Sequence, residues 1–380
     1  STGVYFRNLV PELVREVLLA MSRATKDESW ERKVRHIGKV PFDVLLHFPL
    51  DAVEQISRTW TPPPPPNADY LHKRPRSLSE LILPDSLKRR LAKFVKMARK
   101  EGGGSLLLVG LPASGRKTIA RAIAAELGLP AYHVSVANVL SRWVGESESK
   151  LKAVFEGMRA KGGLIVFENV ESLFRKTTGE SVTPNLRTIL YQEMARDDNN
   201  FVAVFTSNED AAPELFASPL IGEVKLVVPP PSPDERRELA RMFLLEILGG
   251  HWDRLVEIAK RQYNVGDERA EALLINLYAN SFAGACVGMT SGELYRAMRK
   301  VLVPAVSEML EAGRLIPIDE DSLDLARRDY TAVHARLKTL KARAIQLGLT
   351  DIADAVKKAE GEVLKKAMEA SEKMGQYKEY

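Results

Sequence analysis

The sequence is poor in the residues on which several classes of protein depend. Among its 380 residues it has one cysteine, Cys286, which excludes an internal disulfide framework and fits a reducing compartment. No apolar run approaches the roughly 18 residues that a membrane-spanning helix needs. The first residues also lack the pattern of a secretory signal peptide. We therefore expect a cytoplasmic protein without a membrane span.

Residues that bind metals or act as nucleophiles are also scarce. None of the six histidines lies at metal-ligand spacing from cysteine or carboxylate residues. His133, in the strand-like segment AYHVSV, is expected to be structural. Ser114 and Ser172 have no accompanying His–Asp arrangement. These absences argue against a zinc site and a serine hydrolase, and leave Mg²⁺ as the metal to consider.

Positive charge is concentrated in one stretch of the chain. The net charge is +5, and residues 71–101 hold ten Lys or Arg against three acidic residues. Such a stretch can attract nucleic acid or another polyanion. The alternative is a solvated helix face, which is favoured because no aromatic residues are spaced for base stacking. Nucleic acid therefore stays a second alternative as a partner.

Proline-rich segments divide the chain. Residues 1–60 have apolar spacing typical of helices, as in LVPELVREVLLAM, and predict a helical N-terminal domain. Five consecutive prolines in TPPPPPNADY cannot join a helix or a central strand, so residues 61–74 are predicted to be an extended linker. A second proline-rich segment, PPPSPDE, ends the domain predicted for residues 75–230.

Short apolar segments alternate with helical patterns over residues 75–230, and this alternation predicts a parallel sheet covered by helices on both faces. The apolar segments are SLLLVG, AYHVSV, GLIVFENV, FVAVFTSN and EVKLVVP. Beyond them, residues 231–310 predict a helical domain. Residues 311–380 predict a C-terminal helical extension with a break at GLTD. The expected class is therefore α/β with helical additions at both ends.

The segment VGLPASGRKTIARA nearly matches a phosphate-binding loop. Such a loop reads G-x-x-x-x-G-K-[ST]. Gly110 and Gly115 have the right spacing, but Arg116 and Lys117 follow, and Thr118 comes one place late. The candidate phosphate-binding residues are Gly110, Leu111, Pro112, Ala113, Ser114, Gly115, Arg116, Lys117 and Thr118.

With the segments that follow it, this loop resembles the AAA family of AAA+ ATPases over about residues 81–303. The resemblance rests on LSRWVGESESKLKAVFEGMRAKGGLIVFENVESLF, which carries two family elements at family spacing, and on GMTSGEL, which resembles the lid motif and contains Gly292. It implies a P-loop nucleotide-binding domain over 75–230 and a helical lid over 231–310. It also implies ATP or ADP as ligand, and a homo- or hetero-oligomeric ring that acts on a protein substrate.

Two alignments of the loop with the family motif are open. Without a gap, Arg116 stands at the lysine position and Lys117 at the threonine position. With one inserted residue, Lys117 and Thr118 form the usual pair, but the next helix rotates by about 100°. A helix packed on a sheet resists that rotation, so the ungapped alignment is favoured. Arg116 is then a bulkier cation, and Lys117 removes a hydroxyl that helps to hold Mg²⁺. Ala113 also replaces a loop glycine, which constrains the backbone if the torsion there is unusual.

The resemblance implies three further site positions. Glu168 stands where the family has the Asp that supports Mg²⁺, and Asn169 stands where it has the Glu that activates water. Asn169 cannot accept a proton, and losing a general base typically costs ~10²–10⁴-fold in rate. Glu171 lies two residues on and is expected to point elsewhere. Asn208 resembles the sensor that orients the γ-phosphate and water, and the equally favoured alternative is a strand-end asparagine that satisfies backbone groups.

The arginines that family members direct at a neighbouring subunit's ATP are also missing, because no arginine occurs between Glu209 and Glu235. Such a finger contributes ~10³–10⁵ in rate where it operates. Together these departures predict an ATP-binding protein, weak or deficient in hydrolysis, that acts as a ring subunit, scaffold or regulator, and they argue against Mg·ATP binding of the kind that hydrolysis needs. The alternative is an active remodelling ATPase that uses Lys117 and Thr118.

The segment SRWVGESE resembles the pore loop with which katanin- and spastin-type rings grip a polypeptide. The resemblance implies that Arg142, Trp143 and Val144 contact a protein substrate in a central pore. The alternative is that Trp143 is a core aromatic at a strand–helix junction. The substrate-contacting element thus departs less from the family than the catalytic positions do.

Overall fold

The structure, a computed structural model, describes residues 69–70, 77–136, 146–174, 183–318 and 329–376. The predicted N-terminal domain, the pore residues Arg142, Trp143 and Val144, and all of the predicted linker except residues 69–70 lie outside these ranges. None of the described helices has the length and apolar character needed to cross a membrane.

A twisted layer of strands organises the α/β part of the described chain. The strands are β1 (Asp69–Tyr70), β2 (Gly104–Gly110), β3 (Ala131–Ser135), β4 (Leu164–Glu168), β5 (Val202–Ser207) and β6 (Val224–Val228). Their order in the sheet is β1-β3-β4-β5-β2-β6. Strands β2 to β6 pair in parallel, and the parallel sheet predicted from the sequence is confirmed.

The sheet is buried on both faces, as parallel strands require. Every residue of β5 is buried, and the Phe167 ring is centred 5.2 Å both from Phe205 on the neighbouring strand and from Phe155 on a covering helix. The helices of this part are α1 (Asp85–Glu101), α2 (Arg116–Leu127), α3 (Ser147–Lys161), α4 (Thr183–Met194) and α5 (Pro213–Ala217).

Strand β1 was not expected, because it lies within the segment predicted as a linker. Asp69 and Tyr70 pair antiparallel with His133 and Tyr132 of β3. A two-residue strand gives no periodicity to detect, and its pairing uses backbone groups that any residue supplies.

A small helical domain follows the sheet, as expected for a lid. Its helices enclose an apolar core separate from that of the sheet, built on Tyr278, Phe282 and leucines such as Leu302. Helix α6 starts at a capping box formed by Ser232 and Glu235. The helices are α6 (Pro233–Leu248), α7 (Trp252–Tyr263), α8 (Asp267–Leu274), α9 (Ser281–Ala285) and α10 (Ser291–Ala312).

The C-terminal extension is a pair of helices, α11 (Tyr330–Gln346) and α12 (Thr350–Gln376), separated at the predicted GLTD break. Gly348 occupies the left-handed region there, at φ 70°. The buried residues of this hairpin, Leu337 and Val356 among them, belong to the same apolar core as the sheet. The hairpin is therefore part of the α/β domain's packing.

Candidate functional site

A cavity of about 930 Å³ lies where the carboxyl ends of the parallel strands face the helical lid. Ligands of open α/β sheets bind at this edge. Its wall includes the loop after β2, the ends of β4 and β5, and helices α6 and α10. The predicted residues that line it are Pro112, Ala113, Ser114, Gly115, Arg116, Lys117, Thr118, Glu168, Asn169, Asn208 and Gly292.

The loop after β2 has the close backbone packing of a phosphate cradle. Strand β2 ends at Gly110, where an added Cβ would lie 2.6 Å from Ser114 Oγ. Helix α2 begins at Arg116, directly after Gly115 in the left-handed region at φ 88°. The free amides at that helix start suit an anion. The ungapped alignment of Arg116 with the family lysine stays a prediction.

Ala113 adopts a conformation that alanine rarely takes. Its φ is 60°, so the loop needs the torsion that a glycine supplies more easily. The lid meets the loop at this residue, since Gly292 N donates to Ala113 O at 2.9 Å and Thr290 Oγ1 donates to Pro112 O at 3.0 Å. An added Cβ on Gly292 would lie 2.8 Å from Ala113 O. The lid therefore rests directly on the strained loop.

Arg116 reaches from the loop to the end of β5. It donates to Ser207 O and to Asn208 Oδ1, the latter at 3.0 Å. Burial lowers the pKa of this guanidinium, and the charges of Glu171 and Glu209 oppose that shift. Arginine stays protonated in proteins. The residue at the lysine position thus engages the predicted sensor Asn208.

Lys117 and Glu168 form an ion pair at the position expected for a metal. Lys117 Nζ lies 3.2 Å from Glu168 Oε2, and His133 Nδ1 lies 2.6 Å from Glu168 Oε1. Burial of Glu168 disfavours its charge, but the hydrogen bond with His133 and the charge of Lys117 outweigh burial, so the pKa of this carboxyl lies below its usual value. Both carboxylate oxygens therefore have a partner.

His133, for which the sequence predicts a structural role, contacts the site residue Glu168 but is not among the described residues that line the cavity. It lies on β3, whose residue Ser135 pairs with Glu168 of β4. Two residues before the end of β3, His133 is on the same side of the pleat as Ser135. Its contact with Glu168 follows from the register of β3 against β4, and the sequence alone does not give that register.

Asn169 also occupies the left-handed region, at φ 57°. Asparagine tolerates this conformation better than glutamate does. Its backbone N donates to Thr206 Oγ1 at 3.3 Å. Glu171 is 3% exposed and is absent from the described residues that line the cavity, in keeping with the expectation that it points elsewhere.

Mg²⁺, which the family resemblance implies, does not fit the residues present. Mg²⁺ requires an octahedral shell of oxygen ligands. Lys117 offers no oxygen where the family has a hydroxyl, and Glu168 directs both oxygens at cationic or ring nitrogens. Thr118 Oγ1 accepts a hydrogen bond from Arg121 within α2. In the described part of the chain, no group of three His, Cys, Asp or Glu could hold a metal.

The part of the cavity wall that α6 and α10 supply contains an apolar slot beside Glu246, a feature that the sequence did not indicate. Phe243 and Tyr295 meet edge to face with their ring centres 5.1 Å apart. Such a slot suits a flat aromatic ring. The residues that complete it are Leu81, Ile82, Leu83, Leu239 and Met242.

The basic stretch of residues 71–101 is described only from residue 77. Most of it forms α1, which buries Leu87, Leu91 and Phe94 and exposes basic residues on the other side. The exposed basic residues are Arg89, Lys93, Lys96, Arg99 and Lys100.

Comparison with known proteins gives consistent results. Residues 106–230 match the family described as "ATPase family associated with various cellular activities (AAA)". The chain is similar to the proteasome-associated ATPase of Streptomyces coelicolor, at 27% identity over 201 residues, which is 46% of this chain and 34% of that protein. It is also similar to the peroxisomal ATPase PEX1 of Komagataella phaffii, at 24% identity over 263 residues, covering 67% of this chain and 21% of that protein.

A solved structure shares the fold. The crystal structure of the FIGL-1 AAA domain aligns with a TM-score of 0.50 at 15% identity, covering 80% of this chain and 97% of that one. Against the two curated relatives, the matched region spans about a third of one protein and a fifth of the other.

Proposed function

Since this chain carries an AAA domain over residues 106–230, we propose that it is a nucleotide-binding protein of the protein-remodelling class that hydrolyses ATP weakly or not at all. Two of the proteins to which it is similar are named as a proteasome-associated ATPase and a peroxisomal ATPase. In this proposal the chain is a ring subunit, scaffold or regulator in the cytoplasm, and its partner is a protein.

The cavity supports nucleotide binding. Its wall combines the start of α2 and the side chain of Lys117 with an apolar slot at Phe243 and Tyr295. An anion at the helix start and an aromatic ring in the slot match the two ends of ADP or ATP. Ser114 Oγ is buried without a hydrogen-bond partner among the described residues, and a bound phosphate would offer it acceptors.

Weak or absent hydrolysis is supported mainly by two residues, Glu168 at the end of β4 and Asn169 directly after it. Glu168 is held by Lys117 and His133, and Asn169 has no carboxylate with which to accept a proton from water. Removing a general base typically costs ~10²–10⁴-fold. Glu171 is buried, with its charge acting on Arg116. It therefore supplies no base to the cavity.

The role in a ring rests on the family resemblance. Arg142, Trp143 and Val144 would contact the protein substrate, and a subunit with an arginine finger would complete the site from outside. The lack of arginine between Glu209 and Glu235 supports a subunit that does not activate its neighbour.

The test measures binding and turnover in the same samples. We expect the full chain to bind ADP and ATP by calorimetry and to release phosphate from ATP no faster than the buffer control. Arg116→Ala should weaken binding about tenfold or more, since it removes the side chain that ties the loop to Ser207 O and Asn208 Oδ1. Arg89→Ala, which changes an exposed arginine of α1, is the matched control.

The active-ATPase alternative makes the opposite prediction. Turnover that needs Mg²⁺, disappears in Lys117→Ala and persists in Arg116→Ala would establish a shifted loop with Lys117 and Thr118 as the working pair. Absence of nucleotide binding would overturn the proposed function itself.

A further inference from the structure

We infer that the Lys117 ammonium is a built-in cation in the place of Mg²⁺, and that the site binds nucleoside di- or triphosphate free of divalent metal in preference to its magnesium complex. This inference rests on the proposed nucleotide-binding function and specifies the chemical form of the ligand.

The position of Lys117 carries the first step. It lies in the first turn of α2, after the left-handed Gly115, and its Nζ is 3.2 Å from Glu168 Oε2. In the family that the chain resembles, a hydroxyl at the first position and a carboxylate at the second flank Mg²⁺. Here Lys117 replaces the hydroxyl, and its ammonium is ion-paired with Glu168, which holds the carboxylate position.

Exposure allows Lys117 to reach a ligand. Its side chain is 49% exposed, whereas that of Glu168 is 16% exposed. An ammonium carries three hydrogen-bond donors, and the bond to Glu168 uses one of them. Lys117 lines the cavity beside the helix start, so the remaining donors are available to phosphate oxygens. The flexible lysine stem lets the charge move between carboxylate and phosphate.

Arg116 does not substitute for Lys117 in this role. Its guanidinium donates to Ser207 O and Asn208 Oδ1 and lies near the charges of Glu171, Glu209 and Glu168. Those carboxylates offset its charge. Both loop cations line the cavity, but the Arg116 guanidinium is engaged by the end of β5, whereas Lys117 is 49% exposed and pairs with Glu168 alone among the described residues.

A divalent cation meets two obstacles at the same place. Lys117 repels it at short range, and Glu168 gives up its contacts with Lys117 and His133 if it is to act as a ligand. A magnesium–nucleotide complex brings its metal to this point, whereas the free nucleotide brings only oxygens. The free form also carries more negative charge for the ammonium to bind.

The test compares metal dependence between two proteins. The full chain and Lys117→Thr are titrated with ADP and with ATP by calorimetry, once with Mg²⁺ and once with EDTA. The wild type should bind in EDTA at least as tightly as in Mg²⁺. Lys117→Thr should lose about tenfold or more in EDTA and become dependent on Mg²⁺. Lys93→Ala, on the exposed face of α1, should behave as the wild type does.

A second readout does not depend on affinity alone. Mn²⁺ observed by electron paramagnetic resonance, in the presence of ADP, should show a protein-bound signal for Lys117→Thr and none for the wild type. Thermal unfolding of both proteins checks that the variant is folded, and Lys117→Gln replaces it if it is not.

The outcomes separate this inference from the proposed function. Wild-type binding that strengthens tenfold or more with Mg²⁺, or equal metal dependence in the wild type and the folded variant, would overturn the inference and leave nucleotide binding intact. No binding in either buffer would overturn both.

Discussion

Arg336 of α11 donates through Nε to Glu209 Oε1 at 2.5 Å, and this bond joins the C-terminal hairpin to the residue that follows Asn208. Glu209 is 3% exposed, and its Oε2 has no hydrogen-bond partner among the described residues. Arg343 of the same helix donates to Glu209 O at 3.2 Å. The hairpin therefore contacts the end of β5 next to the candidate nucleotide site.

Removing Arg336 should destabilise the protein. Arg336→Ala leaves a buried carboxylate without its partner, which typically costs ~1–3 kcal/mol. We expect the free energy of unfolding in urea to fall by that amount. Lys338→Ala, at an exposed position on the same helix, should change it by less than about 0.5 kcal/mol. Equal effects of the two variants would show that the Arg336–Glu209 bond contributes nothing.

Replacing Ala113 by glycine should stabilise the loop. Ala113 has φ 60°, which strains an L residue with a Cβ atom. Ala113→Gly should raise the free energy of unfolding by about 0.5–1 kcal/mol, after allowing for the larger entropy of glycine in the unfolded chain. Ala92→Gly, at an exposed position of helix α1, should lower it by about 1 kcal/mol. Chemical denaturation that gave both variants the same sign would contradict this account of Ala113.

The attachment of the C-terminal hairpin should weaken in acid. Arg90 of α1 binds Asp351 of α12 with both guanidinium nitrogens, at 2.7 and 2.8 Å, and this hydrogen-bonded pair holds the pKa of Asp351 well below its usual value. A lowered pKa means that the stabilisation is complete above the unfolded-state value of about 3.9 and is lost as the pH falls through the folded-state value.

Both partners are partly exposed, so the contribution should be under about 1 kcal/mol. Asp351→Asn should therefore lower the free energy of unfolding slightly at pH 7 and have less effect towards pH 2. Asp354→Asn, one turn further along α12, is the control. A difference between Asp351→Asn and the wild type that grew in acid would contradict the assignment.

The fold was predictable because its signals are local. Buried strands such as SLLLVG are short apolar runs, and glycines at positions such as 128 and 348 mark helix ends with positive φ. The packing surface of the hairpin was not predictable. An apolar stripe that contains Leu337 indicates that the helix packs against another element, but it does not identify that element as the sheet domain.

The site was predictable in part, for a related reason. The loop after β2 and the residues at the ends of β4 and β5 all follow buried strands. In a parallel sheet the carboxyl ends of the strands lie at the same edge, so these residues come together. The partners of the charged side chains depend on strand register and on rotamers. His133 beside Glu168, and Arg116 turned towards Asn208, therefore required the three-dimensional structure.

The exposed face of α1 should behave as a solvated surface. Arg89, Lys93, Lys96 and Lys100 form no ion pair with an acidic residue in the described part of the chain, and α1 has no exposed aromatic side chain for base stacking. Labelled single-stranded DNA, followed by anisotropy, should bind weakly at low salt and dissociate at physiological salt. Retention at physiological salt that is lost in a Lys93→Ala, Lys96→Ala double variant would favour the polyanion-binding alternative.

The contact between lid and loop should control nucleotide affinity. Gly292 N donates to Ala113 O at 2.9 Å, and a Cβ on Gly292 would lie 2.8 Å from that oxygen and 2.9 Å from Ala113 Cβ. Backbone cannot yield as a flexible side chain does, so Gly292→Ala must move the start of α10 away from the loop. The cavity lies between these two elements, and its apolar slot is partly on α10 at Tyr295.

We therefore expect Gly292→Ala to weaken ADP binding by about tenfold or more while the free energy of unfolding changes little, because the two apolar cores are separate. Gly284→Ala is the matched control, since an added Cβ there meets nothing within 4 Å and Gly284 lies in the same helical domain. Calorimetric titration of both variants decides the matter. Unchanged affinity in Gly292→Ala would contradict control of nucleotide affinity by the contact between lid and loop.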